Sequence, residues 1–122
     1  MARILVVDDE REACEALECF LTGIDHEVET ALDGGEGIQK LKTFRPHLVL
    51  LDVKMHGEDG LEVLPQMKAI DPHARVSMVT GVQEQAVANE AVRQGAAEYI
   101  TKPIDLDYLN MSVLVNYIQE VG

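Results

Sequence analysis

Short apolar runs alternate along the chain with longer stretches in which apolar residues recur every three or four positions. Apolar runs of four or five residues are typical of buried strands, and the longer spacing is typical of one face of a helix. The predicted strands are Arg3–Val7, Glu27–Ala31, His47–Leu51, Arg75–Val79 and Ala97–Ile100. The predicted helices carry the apolar stripes Ala13–Leu21, Ile38–Phe44, Leu61–Ile70, Val87–Val92 and Leu106–Tyr117.

The alternation of strand and helix predicts an α/β fold, in which a parallel sheet carries helices on both faces. The run HLVLL at His47–Leu51 is apolar on both faces, as expected of a central parallel strand. We therefore expect a (βα)5 doubly wound, five-stranded parallel sheet in the flavodoxin-like order 2-1-3-4-5. It should be formed by a single domain over residues 1–122. Pro65 should bend or loosen the third helix, because it lacks a backbone donor.

Composition and charge narrow the possible functions. A chain of 122 residues with 47% hydrophobic and 26% charged residues has the profile of a soluble globular protein. No apolar run approaches the roughly 20 residues of a membrane span, so we expect a cytoplasmic protein with no membrane partner. The formal net charge of −12 argues against direct nucleic-acid binding, which depends on Lys and Arg at phosphates. Cys14 and Cys19 should be reduced and point to different sides of one helix.

Carboxylates follow two of the predicted strands. Asp8, Asp9 and Glu10 come directly after the first strand, and Asp52 follows the third. In the order 2-1-3-4-5 these two strands flank the point where strand order reverses, so the acids should meet in one crevice. Two charges about 4 Å apart repel by on the order of 4 kcal/mol at an effective dielectric near 20, which requires a compensating cation. Mg²⁺ suits such a site; the simpler alternative is that the acids begin a solvated helix.

Two further strands end in residues with useful chemistry. The fourth strand ends at Thr80, and the fifth leads into Lys102 and Pro103. Acids, a hydroxyl and a lysine at one edge match the needs of phosphoryl transfer, in which a metal and cationic groups stabilise the phosphoryl oxygens. A carboxylate can itself be the nucleophile and form an acyl phosphate. Taken singly, Thr80 and Lys102 are ordinary residues, and only their joint placement favours a site.

Taken together, these residues resemble the receiver domain of two-component response regulators. The resemblance runs from RILVVDDE through LVLLDVKMHGEDGLEVL and VSMVTG to GAAEYITKPIDLDYL. It implies that Asp52 accepts a phosphoryl group from the histidine of a sensor kinase. It also implies that Asp9, Asp52 and the backbone carbonyl of Lys54 bind Mg²⁺, with Asp8 acting through water.

The resemblance also implies a switch. Lys102 would pair with the phosphoryl oxygens, and the bond from Lys102 to Pro103 would be cis. Thr80 and Tyr99 would match the family's switch pair and alter the surface of the fourth helix, fifth strand and fifth helix. That surface would then control an output domain or partner, and the chain would turn over no external substrate.

Some positions depart from the common pattern of the family. His56 stands where many relatives carry proline, and Ile104 replaces a frequent aromatic residue. We expect the loop at His56 to be more mobile and neither change to touch the chemistry. The last helix contains no Lys or Arg, so we do not expect a dimer held by salt bridges across that helix.

Three other functions compete with this interpretation. A Mg²⁺-dependent phosphohydrolase with an aspartate nucleophile would resemble an Asp-x-Asp signature after the first strand, where this chain has Asp8, Asp9 and Glu10. A flavodoxin-like nucleotide binder would need a phosphate loop there, and the acids would repel phosphate. A degenerate receiver used only for protein contacts would not need the acids and Lys102 that this chain retains.

Overall fold

The computed structural model describes residues 2–81 and 85–121. Within these ranges, the five strands of the main sheet alternate with five helices, as the periodicity predicts. The strands are β1 (Arg3–Val7), β2 (Glu27–Ala31), β3 (Leu48–Asp52), β4 (Val76–Thr80) and β5 (Glu98–Thr101). The helices are α1 (Arg11–Gly23), α2 (Gly34–Phe44), α3 (Gly60–Ile70), α4 (Gln85–Arg93) and α5 (Leu106–Val121).

All five strands are parallel and lie in the order β2-β1-β3-β4-β5, which confirms the predicted topology. The strands β3 and β4 are buried along their whole length, as expected at the centre of a parallel sheet. β3, β4 and β5 each begin and end one residue later than predicted. As a result Asp52 is the last residue of β3, where it pairs with Val79, and does not lie in the following loop.

Two apolar cores hold the helices against the sheet. Side chains of α1 and α5 pack on one face, against the strand residues Ile4 and Leu50. Side chains of α2, α3 and α4 pack on the other face, against Leu5 and Leu51. All four strand residues are at most 1% exposed, and a fully buried Leu or Ile contributes roughly 1.5–3 kcal/mol. The sheet is therefore covered by apolar packing on both faces.

Three apolar residues that the periodicity assigned to buried stripes are exposed. Ile70, Val92 and Leu106 are 42%, 63% and 44% exposed. Val92 cannot share the buried face with Ala91, because successive helical residues point about 100° apart. Among the residues of α4 whose burial the structure describes, Ala91 is the buried one. Pro65 lies inside α3, which continues through it to Ile70.

The helix α5 directs several large apolar side chains away from the sheet. Its buried face includes Ser112 and Asn116, which are 7% and 6% exposed. Its outer face carries an apolar stripe: Tyr108, Met111, Val115 and Ile118.

No helix in the described ranges combines the length and hydropathy needed to cross a bilayer.

A short hairpin, which the hydrophobic pattern does not predict, joins β3 to α3. Lys54–Met55 pairs antiparallel with Glu58–Asp59, and the two residues between them form the turn. A carboxylate oxygen of Glu58 accepts a hydrogen bond from the backbone N–H of Gly34 at 2.7 Å. The hairpin is thereby attached to the beginning of α2.

Gly60 lets α3 begin directly against the end of β3. Its backbone N–H donates to the carbonyl of Val53 at 2.6 Å. A Cβ atom at this position would overlap the backbone of Asp52 and Val53. Only glycine permits this approach, so Gly60 helps to fix the backbone that carries Asp52.

We expect Gly60→Ala to destabilise the protein by roughly 1–3 kcal/mol, because the added methyl group overpacks the end of β3. Gly23→Ala is the matched control, since Gly23 lies in a helix and a Cβ there would meet nothing within 4 Å. The control should be neutral or more stable by up to about 1 kcal/mol. Urea denaturation of both variants measures the difference. Equal free energies of unfolding for Gly60→Ala and Gly23→Ala would show that a Cβ atom at Gly60 does not destabilise the protein.

Candidate phosphoryl-transfer site

Two buried carboxylates and one lysine lie together at the carboxyl edge of the sheet. Asp8 directly follows β1 and Asp52 ends β3, and their exposed fractions are 4% and 5%. The Nζ atom of Lys102, which follows β5, lies 3.2 Å from Oδ2 of Asp8 and 3.4 Å from Oδ2 of Asp52. The fold thus assembles residues from three strand ends that are distant in sequence.

The charges in this group are only partly balanced. Burial raises the pKa of Asp52 to about 6, and the charge of Asp8 adds to the shift. Lys102 and a hydrogen bond from the backbone of Lys54 act in the opposite direction without cancelling it. Burial works to lower the pKa of Lys102, but the charges of Asp52 and Asp8 outweigh it and the pKa is raised. One lysine faces two carboxylates, so a further cation would relieve the remaining repulsion.

A largely apolar cavity of about 530 Å³ lies beside the two carboxylates. Asp8, Asp52 and Lys102 form its polar end, and side chains of α1 together with Pro103 and Ile104 form its walls. Asp52 is thus held tightly by the protein but borders open space.

Thr80 and Tyr99 lie on neighbouring strands, and the backbone of Thr80 contacts Lys102. Thr80 ends β4 with 0% exposure, and its carbonyl accepts the backbone N–H of Lys102 at 2.7 Å. Tyr99 is half-buried, packs against the core beneath α2, α3 and α4, and pairs with Met78, two residues before Thr80. The bond from Lys102 to Pro103 is cis, as the family resemblance implies.

Asp9 is turned towards the hairpin. It lines a second cavity, of about 430 Å³, together with Glu10, Lys54, Met55 and His56. Its Oδ2 atom accepts the backbone N–H of His56 at 2.6 Å and lies 3.1 Å from the imidazole Nδ1. The hydrogen bond from the His56 backbone is the main reason why the pKa of Asp9 is lowered.

The expectation that His56 does not touch the chemistry did not foresee a contact that the structure shows. Its backbone and imidazole both contact Asp9, one of the expected magnesium ligands. The sequence signal was the absence of proline at this position, since proline has no N–H to donate. The contact itself could not be foreseen, because the hairpin that brings His56 to Asp9 was not predicted.

The acidic residues after β1 fit a magnesium ion. Asp8, Asp9 and Glu10 can each offer an oxygen within 4.8 Å of the others. Carboxylate oxygens are the ligands that Mg²⁺ prefers, and Lys102 alone does not balance the negative charge. Asp52 lies outside this group of described residues, although the expected ligand set includes it. Its nearest cation is the Lys102 ammonium.

Comparisons with known proteins identify the family. The model of the response regulator receiver domain matches residues 4–114. The chemotaxis protein CheY of Listeria monocytogenes is 33% identical over 108 residues, which cover 88% of this chain and 91% of that protein. The chain belongs to the response regulator receiver domain family.

Longer relatives contain a segment similar to this receiver domain. The transcriptional regulatory protein ZraR of Escherichia coli K12 is 34% identical over 110 residues, which are 90% of this chain but 25% of ZraR. The receiver domain thus spans about a quarter of the length of this curated relative. Among solved structures, a CheY-like receiver domain protein of Methanospirillum hungatei JF-1 matches with a TM-score of 0.92 and 28% identity. The match covers 98% of this chain and 96% of that one.

Membership of the family bears on the competing enzyme function. Receiver domains are signalling domains, and phosphorylation on aspartate and magnesium binding at an acidic pocket are typical of them. The acidic group after β1 is consistent with that chemistry. A phosphohydrolase is not favoured.

The raised pKa of Asp52 predicts a pH-dependent effect of Asp52→Asn on stability. The folded state disfavours the ionised carboxylate of Asp52. The stability of a fold with neutral Asp52 is therefore fully present below about pH 4, and it is lost as pH rises through about 6 and Asp52 ionises. Without divalent cations at pH 7.5, Asp52→Asn should be more stable than the parent protein by on the order of 3 kcal/mol. The difference should largely disappear at pH 4.

Urea denaturation in EDTA at both pH values measures this effect. Asp107→Asn is the control, because Asp107 is exposed on the first turn of α5. It should shift stability little at either pH. An Asp52→Asn variant less stable than its parent at pH 7.5 would contradict the charge balance described above.

Proposed function

We propose that this receiver domain accepts a phosphoryl group on Asp52 from a phosphohistidine of a sensor kinase. One observation carries the most weight: Asp52 is a buried acid that ends the central strand, with the Nζ of Lys102 3.4 Å away. Its neighbour Asp8 shares that lysine at 3.2 Å. Asp52 also borders the cavity that Asp8 and Lys102 line.

The transfer needs a nucleophile and stabilisation of charge. An oxygen of the Asp52 carboxylate bonds to phosphorus while the bond from phosphorus to the donor's imidazole nitrogen breaks, and that nitrogen keeps the electron pair. Asp52 must be ionised to attack, so transfer should require a pH near or above its pKa of about 6. The Lys102 ammonium then stabilises charge on the phosphoryl oxygens.

We assign the magnesium ligands as Asp9, Asp52 and the backbone carbonyl of Lys54, with Asp8 acting through water. The support is the number of oxygen donors at this edge and the incomplete balance of their charge by Lys102. When bound, Mg²⁺ would neutralise negative charge on the transferred group. Asp8 has a second task, because it holds the Lys102 ammonium beside Asp52.

We propose that Thr80 and Tyr99 form the switch. Met78 pairs with Tyr99 and Thr80 pairs with Thr101, so Thr80 and Tyr99 point to the same face of the sheet. A phosphoryl group on Asp52 adds nearly two negative charges and strong acceptors, to which the Thr80 hydroxyl can donate. Drawing Thr80 towards Asp52 would open space that the Tyr99 ring can fill.

The proposed output surface consists of α4, β5 and α5. Its support is the exposed apolar stripe of α5 and Val92 of α4, which is 63% exposed. Exposed apolar patches mark interaction sites. The partner would be an output domain in the same protein or a separate protein, and nucleic acid would be contacted only through it.

We further propose that residues 1–122 form one receiver domain that works in the cytoplasm and turns over no external substrate. The family match over residues 4–114 supports the single domain. Residues 1, 82–84 and 122 lie outside the described ranges. A kinase phosphohistidine is made from ATP, which supports a cytoplasmic location.

Phosphorylation can be tested with Mg²⁺ and a small acyl-phosphate donor, followed by intact-mass measurement. We expect the protein to gain the mass of one phosphoryl group, because Asp52 is the only proposed acceptor. Asp52→Asn should show no gain, and Asp107→Asn should match the parent protein. A stoichiometric gain in Asp52→Asn at the parental rate would refute the assignment.

The switch is tested by Thr80→Ala, with Thr80→Ser as the control that keeps a hydroxyl. Thr80→Ala should still be phosphorylated, but the amide chemical-shift changes of Gln85–Gln94 and Tyr99 should be much smaller than in the parent. The lost hydrogen bond to a charged group is worth roughly 1.5–3 kcal/mol. Thr80→Ser should retain most of the response. Equal changes in all three proteins would mean that the signal takes another route.

A further inference from the structure

The hairpin turn at His56 and Gly57 has a geometry that suits proline at its first position. Met55 is extended and pairs with Glu58, so the two residues between them make the turn. Gly57 has a φ of 69°, and His56 is not among the residues with positive φ. A negative φ followed by a positive one is the pattern of a type II turn, in which proline is common at the first of these two positions.

His56 in place of proline adds two contacts to Asp9. The backbone N–H of His56 donates to Oδ2 of Asp9 at 2.6 Å, and the imidazole Nδ1 lies 3.1 Å from the same oxygen. A proline would make neither contact, because it has no N–H and no imidazole. The His56 side chain is otherwise fully exposed, so Asp9 is its main attachment among the described residues.

Asp8 and Asp9 border different cavities, although each can offer an oxygen within 4.8 Å of the other. Asp9 borders the cavity beside the hairpin, whereas Asp8, Asp52 and Lys102 border the larger one. The oxygen that accepts from His56 already has two polar neighbours. A metal ion that binds Asp9 through this oxygen must compete with both of them.

We propose that His56 is a positioning residue that holds the Asp9 carboxylate on the hairpin, so that Mg²⁺ must displace this contact to bind Oδ2 of Asp9. The inference rests on the proposed magnesium site. It adds that the metal affinity of this receiver domain is lowered by the residue after Met55. Magnesium binding and release of the hairpin turn would then be one coupled event.

The test compares the Mg²⁺ affinity of the parent protein, His56→Pro and His56→Ala by NMR titration of amide shifts. His56→Pro removes both contacts and should bind Mg²⁺ about tenfold more tightly, which corresponds to about 1.4 kcal/mol. His56→Ala keeps the backbone N–H and should lie between the other two. Equal or weaker binding by His56→Pro would overturn the proposal.

A second measurement uses the parent protein and does not depend on folding of the proline variant. The His56 amide should exchange slowly with solvent in the absence of Mg²⁺ and faster when Mg²⁺ is bound. Unchanged protection would overturn the proposal.

Asp9→Ala distinguishes an error in the magnesium ligands from an error in the role of His56. If it loses Mg²⁺ binding while His56→Pro matches the parent, the magnesium site stands and the role of His56 is wrong. If Asp9→Ala binds Mg²⁺ as tightly as the parent, the magnesium ligands are wrong and the role of His56 is wrong with them.

Discussion

The sharing of one lysine by two buried carboxylates is the interaction on which the rest of the site depends. Asp8 and Asp52 are both almost fully buried, and the Nζ of Lys102 lies within 3.4 Å of each. Ionised groups are expensive to bury without a partner, and one ammonium cannot balance two carboxylates. Burial is the main cause of the raised pKa of Asp52, and the charge of Asp8 adds to it. The carboxyl edge of the sheet therefore carries negative charge that Lys102 does not fully neutralise, at the place where phosphoryl chemistry would occur.

The fold fixes this arrangement through contacts remote from the charges. Gly60 allows α3 to start against the backbone of Asp52, and the Lys102 N–H bonds to the carbonyl of Thr80. The hairpin between β3 and α3 is anchored by Glu58 to the start of α2. It carries His56 to Asp9, so the acids after β1 have different partners: Asp8 contacts Lys102 and Asp9 contacts the hairpin.

The strands and helices could be predicted from the sequence because apolar runs and helical spacing are local patterns. The strand order then followed from the general rules for packing alternating strands and helices in α/β folds. The sequence also placed Asp8, Asp52 and Lys102 at one edge, since parallel strands end together. It could not predict the hairpin, whose two-residue strands are too short for a periodic signal. The contact between His56 and Asp9 depends on that hairpin. The exposed apolar stripe of α5 was not predicted, because α5 carries apolar residues on more than one face and their spacing does not show which face packs against the sheet.

The central claim, that Asp52 is the residue the site is built to phosphorylate, is tested most directly by reductive trapping. The protein is incubated with Mg²⁺ and an acyl-phosphate donor and treated with borohydride, which reduces an aspartyl phosphate to homoserine and leaves free carboxylates unchanged. Peptide mass mapping then locates the modified residue. The account predicts homoserine at position 52 and at no other acid. Homoserine at Asp8, Asp9 or Glu10, with position 52 unmodified, would contradict it.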